Sequence, residues 1–269
     1  RSRYLFPPYY FKMYFRHTYG LKGKYSRYQL FTKSIAEGMG TIFVVLAFIL
    51  QSRTITDKTS NTTETFSRSP APEAIALSTW VAMVLFGRIS YGHFNPALTV
   101  AMALLKQISG REAIGYIIAQ FIGGFGAAFI GYGLLGGDLE QLKFDDDLFS
   151  FGKTFGVVAI FSFFLVLVYS AVLSERRDFR KQDIYFRYLA VAAAIYVGSQ
   201  SVINPFDSTD FNPALGMPLN IVGYIKYKHH DALKSLVIYL FAPLTGAVGA
   251  TAFFSLYLSP ALEIFTDDL

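Results

Sequence analysis

The chain has 269 residues, 53% hydrophobic and 16% charged, with a formal net charge of +5 and no cysteine. A soluble domain carries about 25% charged residues, so this composition excludes an ordinary soluble fold, and the missing cysteines exclude disulfides and thiolate metal sites. The apolar residues fall in blocks long enough to approach the roughly 20 residues of a bilayer-crossing helix. The chain reads as a multi-pass helical membrane protein.

Residues 1–33 come first in chain order. They hold eight Lys or Arg and no acid, and residues 1–31 interleave seven Tyr and four Phe. A nucleic-acid-binding arm is one reading. The better one is a basic, aromatic-rich arm that sets topology, attracts anionic lipid and anchors at the interface or on a partner protein. A basic, acid-free start would also suit a mitochondrial inner-membrane protein.

Six apolar segments follow: Ile35–Leu50, Ala74–Phe86, Ala113–Leu135, Phe155–Leu173, Tyr188–Val202 and Leu236–Leu258. Two further stretches, Pro96–Leu105 and Pro213–Val222, are about ten residues long. At about 1.5 Å per residue they reach only half a bilayer. Basic residues in 175–187, with Arg88, Lys106 and Arg111, lie on the same side as the basic N-terminus; the acidic loop 136–153 and the Ser/Thr-rich 51–73 lie opposite. The positive-inside rule puts both termini on the cytosol-equivalent face. Lys226 and Lys228 run against it. Asn61-Thr62-Thr63 is a glycosylation sequon on the outer side.

The two short stretches open alike, Gly92-His93-Phe94-Asn95-Pro96-Ala97-Leu98 and Thr209-Asp210-Phe211-Asn212-Pro213-Ala214-Leu215, and each follows a span, the second and the fifth. Three spans per half force the halves into opposite orientations, an inverted repeat. Asn is a strong N-cap and Pro suits the first helical turn. Ala keeps the contact thin, so two half-helices can meet tip to tip near the midplane. Their positive dipole ends and the amides of Asn95 and Asn212 then suit a neutral solute with an acceptor oxygen and repel cations.

With these residues on the page, the chain resembles the aquaporins and glycerol facilitators, the major intrinsic proteins, over about residues 34–258. Ala36-Glu37-Gly38-Met39-Gly40-Thr41, Tyr116, Ala119-Gln120, Gly123-Gly124 and Phe241-Ala242-Pro243-Leu244-Thr245-Gly246 add to the likeness. The resemblance implies an all-α membrane fold: six spans and two re-entrant half-helices in an inverted repeat, with one pore per protomer, usually in a homotetramer. Residues 34–136 and 153–258 would be the halves, and 259–269 a C-terminal tail. It implies a passive channel for water or a small neutral solute, with no cofactor. Glu37 would accept hydrogen bonds from the first re-entrant loop, while an ungapped count puts Ala159 at the matching place in the fourth span. His93 would brace the loop and Gln120 glue helices together. No His, Asp or Glu stands at metal-ligand spacing to His93, and no Ser-His-acid set, carboxylate pair or phosphate-cradling Gly loop points to an enzyme.

One departure bears on selectivity. Typical members of the family carry Arg directly after the second Asn-Pro-Ala, where it lines the narrowest point; here the residue is Leu215, followed by Gly216. Ungapped counting puts the other constriction positions near Ile75, near Ser199 or Gln200, and near Thr209, giving a filter of Ile75, Gln200, Thr209 and Leu215. Such a filter could admit larger or less polar solutes. Alternatively Leu215 and Ile75 could form a plug that does not wet, and the chain would then be a structural subunit of a larger membrane complex.

Overall fold

The computed structural model describes residues 24–51, 55–56, 65–66, 72–137, 139, 151–173, 184–206, 211–228 and 231–258. Eight α-helices are described: α1 (Lys24–Gln51), α2 (Pro72–Ser90), α3 (Pro96–Leu104), α4 (Gly110–Leu134), α5 (Phe151–Leu173), α6 (Ile184–Phe206), α7 (Pro213–Tyr227) and α8 (Asp231–Phe253). A π-helical turn, Phe254–Leu258, extends α8. Two-residue strands, Ile55–Thr56 and Thr65–Phe66, pair antiparallel within the α1–α2 connection. The sequon, Thr209, His229 and His230, and the arm before Lys24 lie outside the described residues.

Five helices (α1, α2, α4, α5, and α8 with its π-helical turn) are long and apolar enough to cross a membrane. The sixth long helix, α6, has 23 residues, about 35 Å of rise, but Arg187 and Asn204-Pro205 near its ends dilute its apolar character. Helix α1 starts at Lys24, well inside the basic arm. Within α1, Lys33 Nζ reaches Glu112 Oε1 on α4 at 2.8 Å, and Glu112 closes a capping box with Ser109 at the start of that helix. A non-local pair therefore ties α1 to the start of α4.

The packing repeats itself. Helix α1 lies on α4 as α5 lies on α8, α1 meets α2 as α5 meets α6, and α4 contacts α7 as α8 contacts α3. The pairs α2/α6 and α3/α7 meet their own counterparts across the pseudo-twofold axis. Close approach depends on small residues. A Cβ on Gly123 would strike the carbonyl oxygen of Gly38 on α1, and one on Gly246 would strike that of Ala159 on α5. Gly38 and Ala159 are therefore equivalent positions, and the residue equivalent to Glu37 is Val158. The ungapped count to Ala159 was one residue long.

The half-helices have unequal lengths. α3 has 9 residues. α7 has 15, longer than its expected stretch: it contains Pro218 and runs on to Tyr227, where Lys228 closes it in a left-handed conformation. Even so, 15 residues rise only about 23 Å, short of the roughly 30 Å hydrocarbon core. A Cβ on Gly124 of α4 would collide with the carbonyl oxygen of Ala214 in the first turn of α7. Gly124→Ala is accordingly expected to displace α7 and cost about 1–3 kcal/mol by overpacking. Thermal unfolding of the purified variant in detergent tests this, and an unchanged midpoint would show that α7 yields without loss.

Candidate functional site

The site is built where the tips of α3 and α7 touch. Asn95 caps α3 by accepting from Ala97 N at 2.8 Å, and Asn212 caps α7 by accepting from Ala214 N at 3.0 Å. Each Asn also donates into the opposite half. Asn95 Nδ2 donates to Phe211 O at 3.1 Å and Asn212 Nδ2 to Phe94 O at 2.8 Å. The two halves thus exchange one amide–carbonyl bond each way. Pro96 and Pro213 occupy the first turns, where no backbone N–H is needed. Ala97 and Ala214 are buried in the contact.

The first loop reaches this position through a strained path. Tyr91 and Phe94 have φ of 74° and 48°, unusual for residues with a side chain. What over-determines this conformation is Glu37. Its fully buried carboxylate accepts from Ser90 Oγ (2.6 Å), His93 N (3.0 Å), Phe94 N (2.7 Å) and Gln120 Nε2 (2.8 Å). Buried irregular backbone must find such partners inside the membrane. Phe94 is clamped at both ends, its N–H on Glu37 and its carbonyl on Asn212. Its ring lies where a Cβ on Gly40 would stand.

Gln120 also donates to Thr99 Oγ1 at 2.9 Å, and Thr99 contacts His93 Nδ1 at 3.1 Å. His93 is enclosed by edge-on Tyr116 and Tyr169. Glu37, His93 and Gln120, expected to support the loop, are thus brought together in one bonded group. Among the described residues no group of three or more His, Asp or Glu could hold a metal. The second half lacks this scheme: Val158 is apolar where Glu37 is acidic, and Pro243 follows the same register where Gln120 stands.

A cavity opens beside the junction. Its lining includes Val44, Ile75, Thr79, His93, Asn95, Leu98, Leu165, Val191, Ile195, Ser199 and Asn212. The cavity is small, about 30 Å³, room for about two waters. Of the four expected constriction residues, Ile75 lines this cavity. Gln200 does not: it is exposed on the outside of α6, and its neighbour Ser199, fully buried, is the lining residue. One position turns a helix by about 100°, so a one-residue counting error exchanges lumen for exterior. Leu215 is fully buried in the core and is not among the lining residues. Thr79 was missed, although it stands four residues after Ile75 and so shares its face.

The sequence matches the family model described as major intrinsic protein over residues 24–254. Among curated relatives, the chain is 33% identical over 181 residues to glycerol uptake facilitator protein-like 6 of Lactiplantibacillus plantarum, covering 65% of this chain and 78% of that protein. It is 26% identical over 245 residues to probable aquaporin PIP2-2 of Oryza sativa subsp. japonica, covering 85% and 82%. The X-ray structure of the aquaglyceroporin from Plasmodium falciparum superposes with a TM-score of 0.72 at 17% identity, covering 87% of this chain and 99% of that one.

Proposed function

The chain belongs to the major intrinsic protein family of membrane channels for water or small solutes, and we propose that it is a passive channel whose selectivity filter works without a charged side chain. The observation that carries this reading is the reciprocal junction: two half-helix tips bound to each other beside a cavity lined by Asn95 and Asn212. Helix N-termini converging there raise the potential felt by cations, and the amides hold donors where a passing oxygen needs them. A neutral, water-sized or slightly larger solute fits that field. A homotetramer in a lipid bilayer is the assembly this reading carries with it.

With Leu215 in place of the customary arginine, the wall beside Ile75 carries no guanidinium. Desolvating a polar solute there must be offset by uncharged groups of the lining, among them Thr79, Ser199, Asn95 and Asn212. A second reading draws support from the narrowness and apolar walls of the cavity, which would suit a non-conducting subunit of a larger membrane assembly.

Osmotic shrinkage of liposomes holding the purified chain decides between the two. Water or glycerol permeability several-fold above empty vesicles is expected for the channel. Equality with empty vesicles for both solutes, together with native sizing far above a homotetramer, would establish the subunit reading instead.

A further inference from the structure

Resting on the channel reading, we propose that Thr79 is the specificity-determining residue of this pore, an acceptor-only group that selects neutral solutes carrying a hydrogen-bond donor as well as an acceptor. Thr79 lies one helical turn beyond Ile75 on α2, nine-tenths buried, and lines the cavity. Its hydroxyl proton is committed: Oγ1 donates to Ile75 O at 2.7 Å. A hydroxyl has one donor and two acceptor lone pairs, so what Thr79 can offer the cavity is acceptance.

The Asn pair offers the opposite. Asn95 Oδ1 is taken by Ala97 N, and one Nδ2–H is taken by Phe211 O. An amide nitrogen carries two donors, so Asn95 brings donor character to the same cavity. Acceptor and donor thus stand in one lumen whose other walls are mainly Val44, Ile75, Leu98, Leu165, Val191 and Ile195. A solute filling that lumen gives a proton to Thr79 and receives one from Asn95. A hydroxyl or primary amide edge does both, whereas an ether or tertiary amide leaves Thr79 unmatched against an apolar wall.

Water and a polyol differ in how much they need Thr79. Waters in single file can donate to each other. A glycerol hydroxyl turned to the wall has no neighbour to replace the threonine. Thr79→Val is nearly isosteric and removes the acceptor together with the hydroxyl's bond to Ile75 O, a carbonyl to which Ser78 Oγ also donates at 3.1 Å. In the reconstituted full chain it is expected to lower glycerol permeability roughly three- to tenfold, the value of one net hydrogen bond, while water permeability falls less than about twofold on the same physical ground. Thr79→Ser keeps the hydroxyl and should restore the wild-type glycerol-to-water ratio, which a merely structural role would not predict.

Val191→Thr adds a further acceptor to the same lumen and should raise that ratio, an independent check should Thr79→Val assemble poorly. An unchanged ratio in Thr79→Val overturns the assignment, and so does an unchanged or lowered ratio in Val191→Thr. A wild-type chain no more permeable than empty vesicles removes the channel reading and this assignment with it; a permeable wild type with indifferent variants removes the assignment alone.

Discussion

Glu37→Ala is expected to abolish the assembled fold or lower its unfolding midpoint by on the order of 10 °C or more. Four buried donors converge on that carboxylate: Ser90 Oγ, His93 N, Phe94 N and Gln120 Nε2. Each buried donor left without a partner costs about 1–3 kcal/mol, against a net stability of about 5–15 kcal/mol for a whole protein. The loss is not local. Phe94 sits at φ 48° and hands its carbonyl to Asn212; without Glu37 its N–H has nothing to hold that conformation, and the junction loses one of its two bonds.

Glu37→Gln should fall between the two. The amide keeps one acceptor oxygen but turns an N–H toward donors that need acceptors. The order wild type, Gln, Ala in thermal stability is the outcome to look for. A Glu37→Ala protein melting within a few degrees of wild type would show that water or relaxation satisfies those donors.

This hub also shows how much of the molecule was legible in its sequence. The paired Asn-Pro-Ala tripeptides are local chemistry: cap, ring and small residue follow one another, and the structure puts both at helix starts. Glu37 came from the resemblance, since nothing in Ala36–Thr41 alone reveals that its partners lie 53 to 83 residues onward. The Lys33–Glu112 pair, 79 residues apart, had no local trace. Counting put Ile75 on the cavity and left Ser199 or Gln200 open, but the positions then chosen elsewhere slipped by one residue. Ser199 rather than Gln200 faces the cavity, and Val158 rather than Ala159 answers Glu37, because helical phase converts a small error in register into the wrong face. Thr79 needed no further counting once Ile75 was placed: it repeats Ile75 at i+4, and following that face would have found it.

Asn95→Asp separates two duties that the wild-type side chain performs together. Asp is as good an N-cap as Asn, so Ala97 N keeps its acceptor and α3 keeps its start. The Nδ2 donor is replaced by an oxygen facing the carbonyl of Phe211, where the bond is 3.1 Å long in the wild type. Attraction becomes repulsion, and a buried carboxylate gains no compensating donor on that side. Whatever permeability the wild type has should fall at least about tenfold, the equivalent of about 1.4 kcal/mol at the junction, with the secondary structure retained. Asn212→Asp makes the same exchange against Phe94 O, at 2.8 Å. Because both substitutions open one shared contact, the double variant should lose much less than the sum of the singles. Strict additivity, measured as liposome permeability and as unfolding midpoint, would mean that the two tips act independently and that the reciprocal bonds are not what joins the halves.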